Sequence, residues 1–385
     1  MSDAAQEKIF QNDILDQMQS QGWLLGESNK YNKELALYPE DVIAFAKATQ
    51  PEQWDKLAQH FPDTERNPNA TTNALLKSLE QELKNEGTLW VLRNKLNNRG
   101  AKFDLCSFKP DHDLNPTATA RYEQNILRVV PELVYSPNGY DGRLDLTLFV
   151  NGIPVATCEL KSEFKQSIDN AKVQYMKDRQ PKDPKTRKPE PLLTFKRGAL
   201  VHFAVSQYNV AMTTRLAGKK TFFLPFDQGT ADGGKGNDVP EDGSYATSYL
   251  WNEIFQKDNL LLILSRYIHL EVKDEEQLDG SIKVKETMIF PRYHQWAVVS
   301  KLLKTVDNEG TGHKYLIQHS AGSGKSNSIA WLSPNSHQNT TIPTTQSLKN
   351  KLGIRFLIPS SSSLTERYLI ASCKTRFISL TIMKE

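Results

Sequence analysis

Apolar positions along this chain change their period part-way through. Up to about residue 100 they recur at helical spacing. Leu75, Leu76, Leu79 and Leu83, continued less regularly by Leu89 and Val91, form the stripe of a long helical stretch that Gly87 interrupts. Pro39-Glu40-Asp41 opens another helix, with acids in its first turn. From 101 to about 215 the period shortens. Runs at 103–106, 144–150, 155–161, 200–205 and 210–213 are rich in apolar or β-branched residues and read as strands. Helical patterns at 117–129 and 167–178 lie between them, so the class is α/β or α+β, with α/β preferred. A Gly/Asp-rich loop spans 228–244, a helix is expected over 249–270, and 271–280 reads as a charged connection. A further amphipathic helix runs to Leu303. The expected divisions are a helical region 1–100, an α/β domain 101–275, a third domain beginning at 276–332, and a tail 333–385. No repeat of solenoid period is present.

Composition narrows this picture a little. The 385 residues are 38% hydrophobic and 24% charged, values typical of a soluble globular protein with room for two or three domains. A net charge of +3 selects no partner. The basic run 182–188 reads as a solvated loop. Cys106, Cys158 and Cys373 are scattered, without metal-ligand spacing, which suits a reducing cytoplasm. Residues 1–10 hold no signal-peptide core, and the longest apolar run, 260–264, is far too short to span a membrane. A cytoplasmic location without membrane contact is expected.

Two stretches carry chemistry. The first is His319-Ser320-Ala321-Gly322-Ser323-Gly324-Lys325-Ser326, between a short apolar run (315–318) and a helical turn (327–332). A Gly-rich turn between strand and helix points backbone N–H groups at phosphate oxygens. Lys325 would reach the β/γ-phosphates, and the Ser326 hydroxyl would bind Mg²⁺. His319 stands where the general pattern has its first Gly; the alternative is a plain Gly/Ser turn. The second stretch is 142–161. Asn151-Gly152 between two apolar runs signals a hairpin. Asp145 lies on its first strand, and Glu159 and Lys161 share one face of its second. Charges on a buried strand imply pairing or a metal. Asp145, Glu159 and the Leu160 carbonyl would hold one or two Mg²⁺ ions, with Lys161 orienting a water; the alternative is a surface Glu/Lys pair. A regular two-residue turn would set Asp145 opposite Cys158, with Glu159 on the other face. The site therefore requires a one-residue shift, through a longer connection or a β-bulge, and Pro154 makes an irregularity expected.

Together these segments resemble a known family. Asp145 with Glu159-Leu160-Lys161 resembles the PD-(D/E)xK nuclease motif. Residues 290–295, Phe-Pro-Arg-Tyr-His-Gln, look like the adenine-reading segment of superfamily-two helicases, and 319–326 like their first motif. That order is the arrangement of the restriction (R, HsdR) subunit of type I restriction–modification enzymes, and residues 102–106, 121–125, 175–179 and 224–226 are similar in wording. The resemblance covers about 1–332. It implies a PD-(D/E)xK mixed sheet flanked by helices, followed by an incomplete RecA-like motor domain. It implies Mg²⁺-dependent cleavage of double-stranded DNA by Asp145, Glu159 and Lys161. ATP would be held by Gln295, Gly322, Gly324, Lys325 and Ser326, and the partners would be methylation and specificity subunits. Relatives often carry a Gln-x-x-x-Tyr element; Tyr175 fits, Ala171 replaces the Gln, and Gln174 is a candidate substitute. Glu123 is a candidate carboxylate near the metal, or a solvated helix residue. Lys165, Lys177 and Arg179 are candidate DNA-phosphate contacts, or solvated helix residues. The tail, with sixteen Ser/Thr from 333 onward and no Asp after Asp307, departs from the motor pattern. It reads as a frameshift or premature stop, so translocation is not expected. The alternative is an inactive remnant with weak nucleotide or DNA binding. A free-standing motor is opposed by the missing downstream Asp.

Overall fold

The computed structural model describes residues 3–110, 115–162, 167–276, 281–309, 315, 317 and 324–332, with three short strands beyond them, Arg355–Leu357, Leu369–Cys373 and Arg376–Leu380. The chain divides into two compact units, Met1–Phe290 and Pro291–Glu385.

The first unit is a mixed seven-stranded sheet flanked by helices. Its strands are β1 (Leu24–Leu25), β4 (Leu127–Val134), β5 (Arg143–Val150), β6 (Ile153–Lys161), β7 (Val201–Ser206), β8 (Val210–Thr213) and β9 (Leu224–Pro225), adjacent in that order. The β1/β4 and β6/β7 pairs are parallel and the rest antiparallel. Two small strands, β2 (Leu96–Asn98) and β3 (Ala101–Phe103), pair separately.

The helices follow from their apolar spacing. α1 (Asp3–Ser20) buries Phe10, Ile14 and Met18, one residue per turn. α2 (Pro39–Thr49) starts on its proline and buries Val42, Phe45 and Ala46. α3 (Pro51–His60) follows, and α4 (Ala70–Asn85) buries the Leu75, Leu76, Leu79 and Leu83 stripe. α5 (Thr88–Arg93) resumes after Gly87. α7 (Ile168–Lys177) turns Ala171 and Tyr175 inward, the latter into a core with Tyr38, Leu133, Tyr135, Leu144 and Phe149.

Three expectations are corrected. The helix over 117–129 is shorter: α6 spans Pro116–Glu123, and β4 begins at Leu127. Asn125 makes the turn, its amide donating to the Ser107 and Tyr122 carbonyls at 2.6 and 2.8 Å, which frees the β-branched Val129 and Val130 for the sheet. The helix over 249–270 is broken. Wider π-type turns at Leu250–Ile254 and Ile263–Tyr267 flank a short α8 (Lys257–Leu262), because Leu250, Trp251, Ile254, Leu260, Ile263 and Leu264 are all buried and no single α-helical stripe accommodates them. The charged connection is a strand, β10 (His269–Glu276), paired with β11 (Ile282–Ile289); charges on both faces hid its alternation. In the second unit, α9 spans Tyr293–Glu309 and α10 spans Lys325–Leu332.

Candidate active site

Asn151 and Gly152 both have positive φ, 50° and 78°, the backbone of a tight hairpin turn. A side chain at 152 has no room, because the Tyr38 carbonyl and the Val42 side chain lie against it. Asn151 is held by three bonds: its amide donates to the Leu105 carbonyl and Asn125 Oδ1, both at 2.9 Å, and its oxygen accepts from the Ile126 N–H at 2.7 Å. Val150 pairs with Ile153 and Phe149 with Pro154; then the ladder slips, and Leu148 faces Ala156. Val155 is the extra residue of a β-bulge, the irregularity the sequence required. Beyond it Thr147 faces Thr157 and Leu146 faces Cys158, so the register carries Asp145 opposite Glu159 on one face. Lys161 follows two residues later on that face.

The site is buried. Asp145 and Lys161 are under 10% exposed and Glu159 is 0% exposed. Asp145 Oδ2 accepts the Leu160 N–H at 2.6 Å. Glu159 Oε1 accepts from Arg179 Nε at 2.6 Å, and Glu159 Oε2 is buried with no hydrogen-bond partner among the described residues. Lys161 Nζ donates to both Glu7 carboxylate oxygens at 3.1 and 3.2 Å and to the Leu160 carbonyl at 2.8 Å. Burial pushes Asp145 up to about 6, against the opposing pull of Lys161 and the Leu160 N–H. Burial, then the Asp145 charge, holds Glu159 well above the ordinary carboxylate range, while Arg179 and Lys161 oppose this.

Glu7 and Gln11 reach the site from far away in sequence and Glu132 and Arg179 from nearer elements; of these the sequence pattern named only Arg179, as a DNA-phosphate contact. Glu132 stands on β4 between Pro131 and Leu133, whose partners are Leu146 and Leu144, at a φ of 48°. That left-handed kink interrupts the ladder where Asp145 would pair. Gln11 of α1 takes over: its amide donates to the Asp145 carbonyl at 2.7 Å and to Glu132 Oε1 at 3.2 Å. Arg179 is 5% exposed and inside the site, so it does not hold DNA phosphates from the surface. Lys177 is exposed, and Lys165 lies outside the described residues. Tyr175 is buried, its hydroxyl 2.7 Å from Thr157 Oγ1, which also meets His202 Nδ1 at 2.8 Å; burial drives His202 down to about 3, so this chain is neutral. Ala171 packs in the core and Gln174 is half-buried. Glu123 is exposed and paired with Lys257 at 2.8 Å, the solvated-helix alternative.

Two carboxylates and a main-chain carbonyl are the donor types that suit a hard divalent ion, since such ions take oxygen ligands. The unpartnered Glu159 Oε2 fits that role: a buried carboxylate oxygen left unsatisfied is costly unless a cation meets it. Among the described residues no three His, Cys, Asp or Glu side chains converge as a metal cluster, so these carboxylates would act as a pair.

Of the nucleotide-binding candidates, Gly322 lies outside the described residues with the rest of 318–323. Gly324 (φ 79°) precedes α10, which begins at Lys325 and has Ser326 exposed in its first turn. Gln295, buried near the start of α9, donates to the Gly324 carbonyl at 2.9 Å and accepts from the Arg292 N–H at 2.9 Å. The structure thus brings Gln295 against the end of the loop.

No helix among the described residues is long and apolar enough to cross a membrane. A search of curated proteins found no match. A family model described as type I restriction enzyme R protein N terminus matches residues 4–221.

Proposed function

This chain belongs to the family of type I restriction enzyme R proteins, and from that premise we propose that its first unit is a PD-(D/E)xK endonuclease that cleaves double-stranded DNA with Mg²⁺. The observation that carries the reading is the bulge at Val155, which turns Asp145 and Glu159 to one face with Lys161 beside them. Asp145, Glu159 Oε2 and the Leu160 carbonyl would hold the ion. Bound there, the ion polarises a phosphodiester and lowers the pKa of a water.

The chain's own side chains do the rest. Gln11 fixes the Asp145 backbone, and Arg179 fixes one Glu159 oxygen. Lys161, tethered by Glu7, is a fixed ammonium that orients a water and offsets charge on the phosphorane. Burial keeps bulk water from screening these charges. DNA is the substrate in this reading, and methylation and specificity subunits are the partners. The turn from Gly324 into α10, with Gln295 against it, supports ATP binding by Gly322, Gly324, Lys325 and Ser326 in a RecA-like second unit.

The test is nicking of supercoiled plasmid by the purified chain. Cleavage is expected in Mg²⁺, absent in EDTA, and reduced at least about a hundredfold by Asp145→Ala or Lys161→Ala. Cleavage that persists in both variants would contradict the proposal, as would its absence from the parent protein.

A further inference from the structure

Arg179 raises a question the cleavage proposal leaves open, the number of ions. Its guanidinium is nearly fully buried immediately after α7 and reaches three places at once. Nε meets Glu159 Oε1 at 2.6 Å, Nη1 meets the Tyr140 hydroxyl at 3.2 Å, and Nη2 donates to the Arg143 carbonyl at the start of β5. A planar fork anchored on three segments has little freedom to swing away, and an arginine does not deprotonate.

We propose that Arg179 occupies the place of a second cation beside Glu159, so that the centre holds a single divalent ion. This rests on the metal-dependent reading above. Two ions side by side are bridged most readily by a carboxylate with both its oxygens free. Asp145 Oδ2 is taken by the Leu160 N–H, and Glu159 Oε1 by Arg179. Glu159 Oε2, which has no hydrogen-bond partner among the described residues, is left to meet one ion beside Asp145. A second ion against Oε1 would meet a fixed positive charge at contact distance, where like charges in a poorly solvated site repel strongly. Arg179 is a positioning residue in this account, with no role in touching DNA.

The test counts ions on the whole chain, without nucleotide, by Mn²⁺ electron paramagnetic resonance. The count is the difference between the wild-type protein and Asp145→Asn, which excludes ions bound elsewhere. One ion is expected. Arg179→Lys, which keeps the charge, should also give one. Arg179→Met removes it, and should bind Mn²⁺ at least about tenfold more tightly or bind a second ion. The melting temperature of that variant should fall in EDTA and recover with Mn²⁺, because the metal becomes the only counter-ion for Glu159. A purely structural arginine would give weaker binding on removal. Two Asp145-dependent ions in the wild-type protein overturn this proposal and leave metal-dependent cleavage standing, as does wild-type or weaker binding by Arg179→Met. If Arg179→Met does not fold, the wild-type count decides alone. No Asp145-dependent ion in the wild-type protein overturns the metal reading itself, and this proposal with it.

Discussion

Asp145 holds its charge at a cost to the fold. Its pKa rises from 3.8 to about 6 because the folded chain buries it. A raised acid binds its proton more tightly when folded, so the stability this contributes is complete below about pH 4 and is lost as pH rises through about 6. In metal-free buffer at pH 7.5, Asp145→Asn should therefore be more stable than the parent protein by about 1–3 kcal/mol. At pH 4 the two should melt together. Chemical denaturation at both pH values checks this; equal stability at pH 7.5 would mean that the carboxylate is not strained by burial. Glu159 carries the same sign, moderated by Arg179.

At the scale of elements, the hairpin decides whether a site exists. The turn was legible because Asn-Gly has one strongly favoured use, and the bulge because period-two alternation cannot put residues 145 and 159 on one face without it. The helices that support the site were not legible as such. Glu7 and Gln11 meet Lys161 and Asp145 across 154 and 134 residues of chain, and such pairing has no signature in local spacing. Arg179 reads as a surface cation at the end of a helix, since nothing nearby says that Glu159 faces it. The helix over 117–129 failed for a different reason: one asparagine satisfied by side-chain bonds outweighed helical propensity. If the turn sets the register, Gly152→Ala should destabilise the first unit by at least about 1 kcal/mol, since alanine disfavours positive φ and its Cβ would press on the Tyr38 carbonyl. Urea unfolding measures it, and a neutral effect would show that the turn is not tightly held.

Over the whole molecule, the family match falls inside the first compact unit, where α1, β4, β5, β6 and the segment after α7 all send residues to one face. Three residues of that face, Asp145, Glu159 and Lys161, are the candidates the sequence offers; the structure adds Glu7, Gln11 and Arg179, which bond to them, and Glu132, which bonds to Gln11. If Asp145 and Glu159 together grip a divalent ion, anomalous diffraction from crystals of the chain in Mn²⁺ should reveal it. The prediction is one anomalous peak within about 2.5 Å of both carboxylates and the Leu160 carbonyl. Carboxylates on opposite sides of the sheet, or no peak between them at saturating Mn²⁺, would contradict it.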